Sequence, residues 1–262
     1  MSTDALAQVI HQQKHAAAAM RRRGRWFFAG IAAAAGATVF VGFARTYYIK
    51  QMFAAPSLPP LFHLHGALFT AWMLLFMIQA CLVATRRTRV HRRLGIVGGL
   101  LVMPMAASGL FVAITAARGE GPVSSAVARG EFVLASPDLP PLVAMVIPLT
   151  SVFLFALFAG AGLAYRRQPD VHKRLMGLAT IAMLPPALGR ALSAVIGASH
   201  PALFFGATML FLGAICIHDW RTSSRVHPVS LWGGLFLALS FPGRLALGNT
   251  GTWLILADWL TR

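Results

Sequence analysis

The chain has 262 residues, of which 57% are hydrophobic and only 11% charged, and its mean hydropathy is +0.68, so its solvent is lipid and a water-soluble globular domain is excluded. Its net charge of +16 comes from 23 Lys and Arg against 7 Asp and Glu, but these cations sit in the joints between apolar runs. That placement reads as membrane orientation and contact with anionic lipid, and nucleic-acid binding is excluded.

Residues 1 to 25 are polar and end in Arg21, Arg22, Arg23 and Arg25, with an interfacial helix expected from Ala5 to Met20. The long polar lead and long apolar stretch fit an uncleaved anchor better than a cleaved export signal. A span needs roughly 20 apolar residues. Seven runs meet that length, at about residues 26 to 44, 64 to 85, 95 to 117, 142 to 165, 175 to 197, 202 to 219 and 229 to 248. Residues 26 to 249 thus predict an all-α, polytopic transmembrane helical bundle. The tail from 250 to 262, with Trp253 and Trp259, is too short to cross and is expected along the interface.

The loops after spans two, four and six carry Arg86, Arg87, Arg89, Arg92 and Arg93, then Arg166, Arg167, Lys173 and Arg174, then Arg221 and Arg225. The opposite loops hold only Arg45, Lys50, Arg118 and Arg129, which predicts the N-terminus inside and the C-terminus outside. The basic turns also repeat a plan. Arg89-Val90-His91-Arg92-Arg93-Leu94-Gly95, Asp170-Val171-His172-Lys173-Arg174-Leu175-Met176-Gly177 and Arg225-Val226-His227-Pro228 each put a histidine at a helix start. Three helical hairpins plus one extra N-terminal span are expected.

Nine histidines are many for so apolar a chain, and seven sort into two layers. His91, His172, His218 and His227 fall at the cytoplasmic boundary, and His63, His65 and His200 at the outer one. Imidazole binds haem iron and transition metals, and helical bundles build such sites from facing helices. The plainer reading of the inner layer is contact with lipid headgroups or capping of the turns. His65, Trp72 and Gln79 recur every seven residues, which marks one face of span two as turned toward protein. His63 points about 200° from His65 on a regular helix, so the pair would share a site only if the entry after Pro59-Pro60 is irregular.

Arg190, after Pro185-Pro186, and Arg244, after Pro242, lie within spans near their outer ends. A charge at mid-bilayer costs at least about 2.5 to 3.5 kcal/mol, so each is a functional candidate unless it snorkels to the headgroups. His63, His65, Arg190 and Arg244 together predict an outer pocket able to take haem propionates, a quinone head or an anionic lipid. Light capture through a retinal Schiff base is excluded, because the lysines are Lys14, Lys50 and Lys173 and none is in the seventh span. No acid falls inside a span except at its ends, Asp219 among them, which argues against a carboxylate proton relay or a di-iron centre. Phosphate loops, HExxH and Gly-x-Ser-x-Gly elements are absent from the sequence. Cys81 and Cys216 read as packing residues, with a Cys216 to His218 metal pair as the alternative.

His63-Leu64-His65-Gly66 with Trp72 and Gln79, His91-Arg92-Arg93-Leu94-Gly95, His172-Lys173-Arg174-Leu175-Met176, Gly189-Arg190, and His227-Pro228 through Gly233-Gly234 to Pro242-Gly243-Arg244 resemble an uncharacterised family of bacterial inner-membrane proteins. The likeness runs from Leu61 onward and implies a multi-pass protein of the bacterial cytoplasmic membrane. More loosely, the layered histidines look like those of haem b-binding bundles and haem A synthase. The resulting expectation is a haem- or metal-binding redox protein, or a subunit of a membrane redox complex. Its cofactor would be haem b or a transition metal, with His63, His65, His91, His172, Arg190 and Arg244 around the cofactor and His227 a further metal ligand. Two other readings stand beside it: a transporter or lipid-binding protein that grips an anion with Arg190 and Arg244, and a structural subunit or assembly factor held with other membrane subunits.

Overall fold

The computed structural model describes residues 3 to 53, 57 to 119, 139 to 196 and 201 to 262. His200 and most of the loop from Arg118 to Pro141 lie outside them. All regular structure among the described residues is helical: α1 (Thr3–Phe43), α2 (Pro60–Ala84), α3 (Thr88–Ala117), α4 (Pro141–Ala144), α5 (Val146–Ala164), α6 (Pro169–Ala182), α7 (Pro185–Ile196), α8 (Pro201–Ser223), α9 (Pro228–Gly248) and α10 (Gly251–Thr261). Six of these helices open on a proline, whose fixed φ suits the first turn and whose missing N–H is one the helix does not use there.

Five helices are long and apolar enough to cross a membrane: Arg22–Tyr48, Pro60–Ala84, Thr88–Ala117, Pro141–Ala164 and Pro228–Gly248. The pair Pro169–Ala182 and Pro185–Leu192 adds a sixth if it is one span broken by a 51° bend. The break falls at Pro185-Pro186, where the sequence predicts a kink, since neither proline can donate back to the preceding turn. α8 covers the remaining expected span and does not join that set among the described residues.

Lipid explains the outside of the bundle. Ile96, Leu100, Met103, Leu210 and Leu239 stand exposed, a surface that water would penalise. Inside, Trp72, Met105, Phe155, Leu178 and Leu184 form one core shared by α2, α3, α5 and the bent pair. Small residues set the closest approaches. A Cβ at Gly42 of α1 would collide with the backbone carbonyl of Ala187 on α7, and one at Gly233 of α9 would stand 2.5 Å from Leu178.

Both terminal segments fold as helix. The interfacial helix expected from Ala5 to Met20 is not a separate element, because α1 runs unbroken for 41 residues, about 60 Å at 1.5 Å per residue. Alanine and arginine are both strong helix formers, so the basic run at Arg21–Arg25 supplies no stop. The tail folds as α10, capped by the Thr250 hydroxyl, with Trp253 buried and donating to the Leu142 carbonyl at 2.8 Å. Its other tryptophan, Trp259, is exposed.

Candidate functional site

The three basic turns do build hairpins, and two of them pass through a left-handed residue, Arg86 with φ of 64° and Ser224 with φ of 53°. Their histidines then do three different things. His172 Nδ1 lies 2.7 Å from the Gly162 carbonyl at the end of α5. A carbonyl only accepts, so Nδ1 is the donor, and Nε2 takes no part in that bond. A Cβ at Gly162 would stand 2.7 Å from Met176 Sδ, so the HKRLM turn packs closely on this glycine. His91 is fixed by its backbone, whose carbonyl takes the Gln79 Nε2 amide at 3.1 Å, while its Nδ1 is buried without a hydrogen-bond partner among the described residues. The His91 ring of α3 and the His172 ring of α6 meet edge to face, with centres 6.2 Å apart and planes at 75°.

The third histidine, His227, turns onto its own helix. Its Nδ1 accepts from Val229 N at 3.2 Å and caps α9, and its N–H donates to Asp219 Oδ2 at 3.3 Å. Asp219 is completely buried and forms a two-point ion pair with Arg174: Arg174 Nε donates to Oδ2 at 3.0 Å and Nη2 to Oδ1. Ser230 Oγ adds a hydrogen bond to Oδ2 at 2.6 Å, and Arg174 Nη1 donates to the Asp170 carbonyl at 2.6 Å. This network ties α6, α8 and α9 together. The sequence sets Arg174 in a basic turn and Asp219 at a span end. The signal available was that one acid, Asp219, at the foot of an otherwise apolar helix. His218 stacks flat on Phe27 of α1 at 3.9 Å, and Lys173 Nζ lies 5.2 Å over Phe28, so the same end also clasps α1.

At the opposite end the expected pocket divides. His65 is half-buried, with Nδ1 3.2 Å from Ser108 Oγ. The Ser108 hydroxyl gives its one proton to the Met105 carbonyl at 3.0 Å, so His65 Nδ1 is the donor to it. Arg190 lies near enough to act electrostatically on His65. Its guanidinium covers the Phe43 ring at 4.5 Å and donates to the Pro186 carbonyl at 3.2 Å. His63 is exposed on the other side of α2, as the helical angle requires, and its carbonyl accepts from Tyr47 at 3.3 Å. Tyr47 belongs to a π-helical turn, Ala44–Tyr48, that folds over the start of α2. Tyr48 Oη meets Thr70 Oγ1 at 2.9 Å, and a Cβ at Gly66 would stand 2.5 Å from the Tyr47 ring, which explains the glycine that closes HLHG.

Arg244 has a different set of neighbours. It is 3% exposed and therefore does not snorkel; its Nη1 donates to Ser151 of α5 at 2.9 Å and its Nη2 to Ser240 at 3.2 Å. Phe241 lies 5.1 Å beneath the guanidinium, and Nε has no hydrogen-bond partner among the described residues.

Among the described residues no three His, Cys, Asp or Glu side chains converge as a metal site. The alternative pair from Cys216 finds a backbone neighbour instead, with Sγ 3.9 Å from the Ser230 carbonyl. No family model, curated protein or solved structure matches the chain.

Proposed function

We propose that the chain is a multi-pass redox protein of the bacterial cytoplasmic membrane that binds haem b through His91 and His172. The observation that carries the reading is the approach of those two rings, one from α3 and one from α6, with centres 6.2 Å apart. Two imidazoles on opposite sides of one ion, each about 2.0–2.1 Å from it, hold their ring centres about 6 Å apart. The donor set suits haem better than a bare metal. A structural or catalytic ion asks the protein for three or four ligands, whereas a porphyrin supplies four nitrogens and asks for two. His172 is already oriented by the Gly162 carbonyl, the usual outer partner of a metal-bound imidazole, with Nε2 left for the ligand. His91 keeps a buried, unpartnered Nδ1. When bound, the group would supply a one-electron couple inside the bundle.

The same proposal takes seven spans, with α8 as the sixth, the N-terminus in the cytoplasm and the C-terminus outside. Support comes from the 23-residue length of α8 and from the collection of the basic turns at one end, where anionic lipids would meet them.

Protein purified in mild detergent is expected to show a Soret band and α bands that sharpen with dithionite. His91→Ala and His172→Ala should each abolish or grossly alter the spectrum, and His63→Ala should leave it unchanged. Colourless protein without stoichiometric iron overturns the reading, and a spectrum lost only in His65→Ala moves the site to the other end.

A further inference from the structure

The second buried arginine has a chemistry that the haem reading does not use. Arg244 sits in α9 against α5, 3% exposed, and none of the ion pairs among the described residues includes it. A guanidinium offers five N–H donors. Two meet hydroxyls, one on Ser151 and one on Ser240, and neutral hydroxyls do not cancel its charge. Nε, which forms one prong of the fork that grips a planar oxyanion, is buried without a partner among the described residues. The contrast with Arg174 in the same bundle shows what is missing: there Nε and Nη2 close on the two oxygens of Asp219, with a serine as the third member. At Arg244 the serines are present and the oxyanion is not supplied by the described residues.

We propose that Arg244, with Ser151 and Ser240, is a receptor for an external oxyanion, a phosphate or carboxylate group taken up at the unpartnered Nε. Arg244 keeps the charge, and the two serines hold the fork in one orientation. Gly243, the preceding residue, is exposed, and a Cβ there would meet nothing within 4 Å. The shared chemistry admits two sources, an acidic lipid headgroup or a small free anion.

The test is thermal unfolding of the full chain in two arms. In detergent, sodium phosphate or acetate is titrated against chloride at equal ionic strength; in nanodiscs, phosphatidylglycerol is compared with phosphatidylcholine. Wild type should rise in melting temperature in at least one arm. A response to phosphate or acetate identifies a free anion, and a response confined to phosphatidylglycerol identifies a headgroup. Arg244→Gln should weaken apparent anion affinity by roughly thirtyfold or more, and Arg244→Lys should respond only in part, since it keeps the charge and loses the fork. The haem spectrum should be unchanged in both variants. Equal responses of wild type and Arg244→Lys overturn the fork even if Arg244→Gln does not fold. No anion response in wild type overturns the proposal outright.

Discussion

Arg174 and Arg244 are both arginines buried in an apolar bundle, yet among the described residues one meets a carboxylate and the other does not. Arg174, at the basic end, is met by the carboxylate of Asp219, by Ser230 and by the Asp170 carbonyl. Arg244, toward the opposite end, is met by two serines and the face of Phe241. A buried pair is held together by mutual need: its stability against a hydrophobic replacement is small, but the loss of one partner strands the other. The first arginine is therefore built as a joint between helices and the second as a point of uptake.

The sharpest way to break the comparison is to make the two arginines alike. Asp219→Asn keeps the shape of the joint and removes its charge, leaving Arg174 in the position of Arg244. Thermal or denaturant unfolding should show a loss of about 3–5 kcal/mol, the usual cost of an orphaned buried charge. The double variant Arg174→Met, Asp219→Leu should recover most of that loss, since it strands neither partner. If Asp219→Asn is as stable as wild type, the pair does not hold α6, α8 and α9 together.

A smaller effect tests the π-helical turn beside His63 and His65. Gly66→Ala puts a methyl where the Tyr47 ring lies, with a Cβ to ring-carbon distance of 2.5 Å. Overpacking of this kind costs about 1–3 kcal/mol, and Gly66→Ala combined with Tyr47→Ala should cost less than the sum of the two single changes. Simple additivity would mean that the ring moves aside freely and the turn does not fix the start of α2.

These features were unequally legible in the sequence. The seven-residue spacing of His65, Trp72 and Gln79 marked a protein-facing side, and Trp72 is 2% exposed while Gln79 holds the His91 carbonyl. The hairpins and the Pro185 break were equally plain, since both rest on local rules of charge, length and proline. The joint between Arg174 and Asp219 was not, because its partners are 45 residues apart and only packing decides which acid a basic turn meets. The expected pocket of His63, His65, Arg190 and Arg244 divided for the same reason. Membrane depth is readable from a span, but the neighbouring helix is not, so Arg244 met Ser151 of α5 while Arg190 met Phe43 of α1.

The repeated turns offer the smallest and most specific test, because His227 sits outside the spans. Its Nδ1 accepts the Val229 N–H, which is possible only while the ring is neutral. Burial, and after it the Arg174 guanidinium, hold its pKa below the ordinary value for histidine, against the opposite pull of Asp219 and Asp170. A histidine whose folded pKa is depressed binds more protons unfolded than folded. Its contribution is therefore complete above the ordinary imidazole range near 6.5 and is lost as pH falls from there through the folded value. A cap of this kind is worth about 1 kcal/mol. His227→Asn keeps an acceptor for Val229 and removes the titration, so unfolding midpoints measured from pH 8 to 5 should fall further in wild type than in this variant. Parallel curves would show that His227 caps α9 without sensing pH, and would leave His91 and His172 as the turns' only reason for carrying histidine.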